Sequence, residues 1–141
     1  MKTYSAILVF ILSIMLFYGC KKEAMVTDTE GNSIKGNWKV TAITLDSNVV
    51  LPGNDVIIIS FHENKFNGNS SGVCGNSFSG DYIRQGSAIE TNNLISTEAV
   101  CPESFYWQVF NIIQTGNRLE LKDTLIIYNN QRNIKLYLIK L

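Results

Sequence analysis

The feature that most constrains this chain is a series of short segments with alternating apolar residues, broken repeatedly by turn formers. A period of two lines one face of a β-strand. Near the C-terminus, residues 118–122 (RLELK), 124–128 (TLIIY) and 134–141 (IKLYLIKL) succeed one another across short gaps. Leu119 and Leu121, Leu125 and Ile127, and Ile134, Leu136 and Leu138 each share a face, which predicts a three-strand meander. Upstream, residues 38–45 (WKVTAITL) place Trp38, Val40 and Ala42 on one face. Residues 56–61 (VIIISF) are apolar almost throughout and predict a strand that is central or buried on both sides. Residues 62–65 form a hairpin tip leading into Phe66, and residues 77–84 alternate Phe78, Gly80 and Tyr82. The turn at 85–87 sends the chain back through 88–91, with Leu94 and Ile95 beyond.

One segment breaks the pattern. In residues 102–115 (PESFYWQVFNIIQT), Ser104, Gln108, Asn111 and Thr115 step by helical intervals, and Phe105, Tyr106, Val109, Phe110, Ile112 and Ile113 fill most of the rest. Pro102 suits the first helical position, Glu103 the positive end of the dipole and Gly116 the cap. A helix so apolar must be buried over a wide arc. The expected body is therefore α+β: a curved, barrel-like, mostly antiparallel sheet of about eight strands with one packed helix.

The N-terminus is of another kind. Lys2 precedes an uncharged stretch from Ala6 to Tyr18, interrupted only by Ser13. That run is too short to span a bilayer and has the length of a signal-peptide core. It ends in Gly19-Cys20, and a small residue before a cysteine at this place resembles the bacterial lipobox, although Phe17 and Tyr18 are bulkier than usual. The expectation is cleavage after residue 19 and lipidation of Cys20, against an ordinary secretory peptide cut elsewhere. Residues 20–35 then form a lipid-anchored flexible tether and 36–141 the folded body. The expected location is the cell envelope, on a membrane, the outer one foremost, facing the periplasm or the surface. With 12 basic and 12 acidic residues the net charge is zero, which disfavours nucleic acid.

The body also resembles a known family. A tryptophan strand (Trp38), an apolar strand ending in Phe61, the stretch Gly72-Val73-Cys74-Gly75-Asn76-Ser77-Phe78-Ser79-Gly80-Asp81-Tyr82, the element Thr97-Glu98-Ala99-Val100-Cys101, a helix, and Leu119-Glu120-Leu121 are similar in order to the META, or HslJ-like, domain of bacterial envelopes. Gly75, between Cys74 and Asn76, departs from that pattern. The resemblance implies an α+β domain with a curved antiparallel sheet and a role in stress tolerance and the envelope rather than in catalysis. Cys74 and Cys101, 27 residues apart, fall at the family's cysteine positions, which implies a disulfide in an oxidising compartment; two separate buried thiols are the alternative. A second, shorter resemblance is Gly36-Asn37-Trp38, similar to the opening of lipocalins, whose barrels hold an apolar ligand.

The residues that carry chemistry are few. His62 stands alone as the one histidine and reads as a surface residue. Asp81, Glu90, Glu98 and Glu103 are scattered, and Trp107 belongs with the packing face of the helix. Gly72, Gly75 and Gly80 precede no Lys-Ser/Thr helix and make no phosphate loop, and Asn69-Ser70-Ser71 fits a glycosylation sequon by letter only. No catalytic residue, metal site or cofactor is expected. The expected partners are the membrane, through the lipid on Cys20, and an envelope protein or small apolar ligand.

Overall fold

A computed structural model of the chain describes residues 33–72, 75–97 and 104–141. Among the described residues there are nine strands: β1 (Gly36–Leu45), β2 (Asn48–Val50), β3 (Val56–His62), β4 (Lys65–Ser71), β5 (Ser77–Gln85), β6 (Ala88–Ser96), β7 (Arg118–Leu121), β8 (Thr124–Asn129) and β9 (Ile134–Lys140). A helix, α1 (Phe105–Thr115), lies between β6 and β7. Every strand pairing is antiparallel, and β1 pairs β9 along its length. That contact closes β1 and β3–β9 into an eight-stranded barrel. The short β2, which the alternation did not predict, pairs with the last three residues of β1, on the edge whose first residues pair with β3.

The barrel is narrowest in pairing between β6 and β7, joined through the single register pair Ala88–Arg118. Helix α1 packs there, from β6 across to β8 and β9. Ser104 is extended and caps the helix, its hydroxyl accepting from the Trp107 amide at 3.4 Å. The helix begins at Phe105, where the Ser104 hydroxyl satisfies an otherwise orphaned amide. Pro102 and Glu103 lie outside the described residues. Gly116 caps the other end with an ordinary negative φ of −62°, and its role is spatial: a Cβ there would meet Ile112 O and Ile127 Cγ2 at 2.8 Å. Asn129 fastens this end, donating to Thr115 O at 2.6 Å while accepting from the amides of Gln131 and Arg132.

The interior is filled by side chains. Trp38, Val40 and Ile43 from β1, Ile57, Ile59 and Phe61 from β3, Leu125 and Ile127 from β8, and Leu136 and Leu138 from β9 are buried. Phe105, Tyr106, Val109, Ile112 and Ile113 of the helix join them. Aromatic rings run through this core in an unbroken series: Tyr82 edge-on to Phe61 (5.5 Å between centroids), Phe61 to Phe66 (6.0 Å), Phe66 to Phe78 (6.2 Å), Phe78 to Tyr106 (5.8 Å). Such pairs each add about 0.5–1.5 kcal/mol beyond their burial.

Two bulges revise the expected facing. On β1 the register slips between Val40 and Ala42, Thr41 being the extra residue, so the inward set is Trp38, Val40 and Ile43; Ala42 turns outward. On β6 the slip opposite Ser79–Asp81 coincides with Asn93 at φ +52°, so residues 88–96 form one strand that changes face midway. The strand at 56–61 is buried on one side only: Val56 is exposed and Ile58 half-buried, because the barrel exterior faces solvent. The polar stripe of the helix also narrows. Asn111 and Gln114 are exposed, whereas the Gln108 Oε1 is enclosed with no hydrogen-bond partner among the described residues.

Candidate functional site

The family-like motifs are structural parts of the barrel. Gly36 adopts φ +123°, which lets the chain fold back so that the Trp38 indole donates to Ile34 O at 2.7 Å inside the core. The Lys140 ammonium sits 5.7 Å from the centroid of the same ring. Gly72 has φ +137°, and a Cβ on it would lie 2.5 Å from Asp55 Oδ1, so the loop before β3 can rest against it only if it is glycine. Asn76 is buried: its carbonyl accepts from the Ser70 amide at 2.8 Å and its Oδ1 from the Thr97 hydroxyl at 3.3 Å. Thr97 Oγ1 also accepts from the Ser77 amide at 2.9 Å. The asparagine two residues past Cys74 and the threonine four residues before Cys101 are thus clasped together. The three cysteines, Glu98 and Glu103 lie outside the described residues.

No acid–base constellation forms among the described residues. His62 is exposed at the β3–β4 hairpin, beside an open groove of about 590 Å³ that Lys35, Phe61 and Lys65 help to line. Asp81 is held below the usual aspartate range, first by the Asn93 amide donating at 2.7 Å and then by Lys65 at 3.5 Å. Glu90 is exposed on β6. Burial pushes the Tyr106 hydroxyl above the usual tyrosine range. Its hydroxyl lies 2.7 Å from Ser96 Oγ; because Ser96 donates to Thr97 O at 3.1 Å, Tyr106 is the donor. No group of three His, Cys, Asp or Glu among the described residues could hold a metal. Trp107 is half-buried, edge-on to Tyr106 and Phe110.

The exterior carries a feature that reading inward-facing residues missed. Register sets outward rows across four strands: Arg118–Tyr128–Lys135–Thr44, Glu120–Ile126–Tyr137–Ala42, and Thr124–Ile139–Lys39. The middle of this face is aliphatic and aromatic, with Ile139 42% exposed, and cations flank it. Residues 36–47 and 118–140 hold six cations against three acids, whereas residues 48–96 hold two against four. A neutral chain is therefore polarised, basic on the β1, β7–β9 side and acidic opposite. The signal was present in the alternate positions of the C-terminal meander.

A closed antiparallel barrel of eight strands with a helix across its weak seam defines the class of domain. The META domain model matches residues 31–138, and the chain belongs to the META domain family. Its fold is similar to that of a protein from Burkholderia xenovorans determined by NMR, with a TM-score of 0.62 over 76% of this chain and 82% of that one. At 11% identity the likeness is one of fold alone. No curated protein matches the chain in sequence.

Proposed function

We propose that this META domain protein is a non-catalytic lipoprotein of the bacterial cell envelope, anchored through Cys20, that works by contact with a partner in an envelope or stress-related role. The observation that carries this reading is the filled barrel. Where a ligand-carrying barrel keeps a cavity, this one holds Trp38, Phe61, Phe66 and Tyr106 at 2% exposure or less, which leaves the outside to do the work. The scattering of His62, Asp81 and Glu90 supports a role without acid–base chemistry. The leader ending in Gly19-Cys20 supports the anchor. Among the described residues no helix is long and apolar enough to cross a membrane. A lipid gives attachment without a span, since each buried methylene contributes about 0.8 kcal/mol. The clasp of Asn76 on Thr97 supports a bridge between Cys74 and Cys101, because it ties together the two segments that lead to them.

The experiment is membrane fractionation of the exported chain beside Cys20→Ser. The parent is expected in the membrane fraction as a cleaved, acylated species, and the variant soluble or uncleaved. A Cys20→Ser chain that still fractionates as a mature membrane protein contradicts the anchor.

A further inference from the structure

We propose that the outer face of β7, β8, β9 and β1 is a docking surface that lays the barrel against an anionic membrane. This deepens the envelope reading and rests on the anchor at Cys20. Three observations carry it.

The first is composition by position. Ile126, Tyr128, Tyr137 and Ile139 stand outward on adjacent strands, and Lys39, Lys135 and Arg118 alternate with them in the same register rows. Lys122 lies in the adjoining turn. Tyrosines and aliphatic groups flanked by cations suit the headgroup region, where a ring sits between water and acyl chains. Glu120 is the one acid in these rows.

The second is charge that is left available. None of Lys39, Arg118, Lys122 and Lys135 forms an ion pair among the described residues, while Lys65, on the opposite side, is engaged by Asp81. A second copy of the chain packed face to face, through the same surface, would meet it with like charge. An anionic bilayer meets it with opposite charge, at about fivefold in affinity for each basic residue near the surface.

The third is the tether. Twelve residues separate Cys20 from Ser33, and the described chain then enters β1, which is itself a strand of this face. A linker of twelve residues that behaves as a random coil spans about 20 Å on average, so an anchored barrel would stay within roughly its own width of the bilayer. At that distance even weak attraction is intramolecular.

The test is lysine footprinting by mass spectrometry on the full lipidated protein. It is incorporated either in phosphatidylglycerol–phosphatidylethanolamine vesicles or in phosphatidylcholine vesicles. In the anionic vesicles Lys39, Lys122 and Lys135 should lose about threefold or more of their acylation, while Lys65 keeps its own. The protection should fade near 1 M salt, where the screening length falls to about 3 Å. Lys39→Glu with Lys135→Glu should abolish the protection at Lys122 without changing the thermal melt, since both side chains lie on the exterior. Equal reactivity in the two vesicles overturns the proposal. So does uniform protection that includes Lys65, or protection that needs an added envelope protein rather than anionic lipid. Flotation of the same samples reads the anchor separately. A chain that fails to float refutes the lipid at Cys20, and one that floats with its lysines open refutes only the docking face.

Discussion

Gly68 gives the sharpest test of how the barrel is filled. It faces inward on β4, opposite Phe78 in register, and a Cβ placed on it would overlap the tip of the Phe78 ring. That ring has nowhere to retreat. Phe66, Tyr106 and Phe110 stand around it with centroids at 6.2, 5.8 and 6.0 Å. Gly68→Ala therefore overpacks a confined site, which costs about 1–3 kcal/mol, and the immobile ring places it at the upper end. Alanine recovers about 0.4–1 kcal/mol by stiffening the unfolded chain. The net is about 2 kcal/mol, equivalent to roughly 10 °C in Tm for a domain of this size. Thermal melts by circular dichroism should show it, with Gly75→Ala as the companion because a Cβ there meets nothing within 4 Å. Adding Phe78→Leu to Gly68→Ala should cost less than the two changes summed, since the smaller side chain vacates the contested space. A Gly68→Ala melt within a degree or two of the parent, or strict additivity with Phe78→Leu, would refute this packing.

Other expectations rest on named contacts. Val109 is fully buried, so Val109→Asp should abolish folding or export, whereas Asn111→Asp on the exposed side of the helix should change stability by less than about 0.5 kcal/mol; equal melts would mean that the helix does not pack on the barrel. The lowered pKa of Asp81 means that its contribution is present above the ordinary aspartate value of 3.8 and is lost as pH falls through its lower folded value. Proton titration by NMR should place Asp81 below a normal aspartate, and Asn93→Ala should raise it; no movement would deny the 2.7 Å bond. Non-reducing peptide mapping of the exported protein should recover Cys74 joined to Cys101, and both thiols alkylated without prior reduction would reject that bridge.

Most strands and the helix were legible because each shows its period locally; the short β2 and the polar β4 beyond Phe66 were not. The inward leucines of β7, β8 and β9 alternate without interruption, and the helix announces itself by a change of period. The features that were not legible depend on pairing. A bulge has no composition of its own, so Thr41 and Asn93 reverse the facing of the residues after them without any mark in the residue pattern. Closure of β1 on β9 joins segments nearly a hundred residues apart, and alternation within either says nothing of the other. The same closure exposes Val56 and Ile58, which a flat, covered sheet would have buried. The Gly, Asn and Thr of the family-like motifs stood out as letters, but their work is steric clearance and a buried clasp that only the folded chain displays. The basic outer face is assembled from four strands and exists only once they are in register.

The most direct measurement is native mass spectrometry of the protein recovered from its own envelope after gentle detergent removal. A filled barrel that works from its surface should appear as the acylated chain beginning at Cys20, alone or with a protein partner or loosely held lipid that dissociates on mild activation. A small apolar molecule retained at one per chain, and lost only when the barrel unfolds, would contradict that claim, because an interior packed with Trp38, Phe61, Phe66 and Tyr106 has no room to hold one.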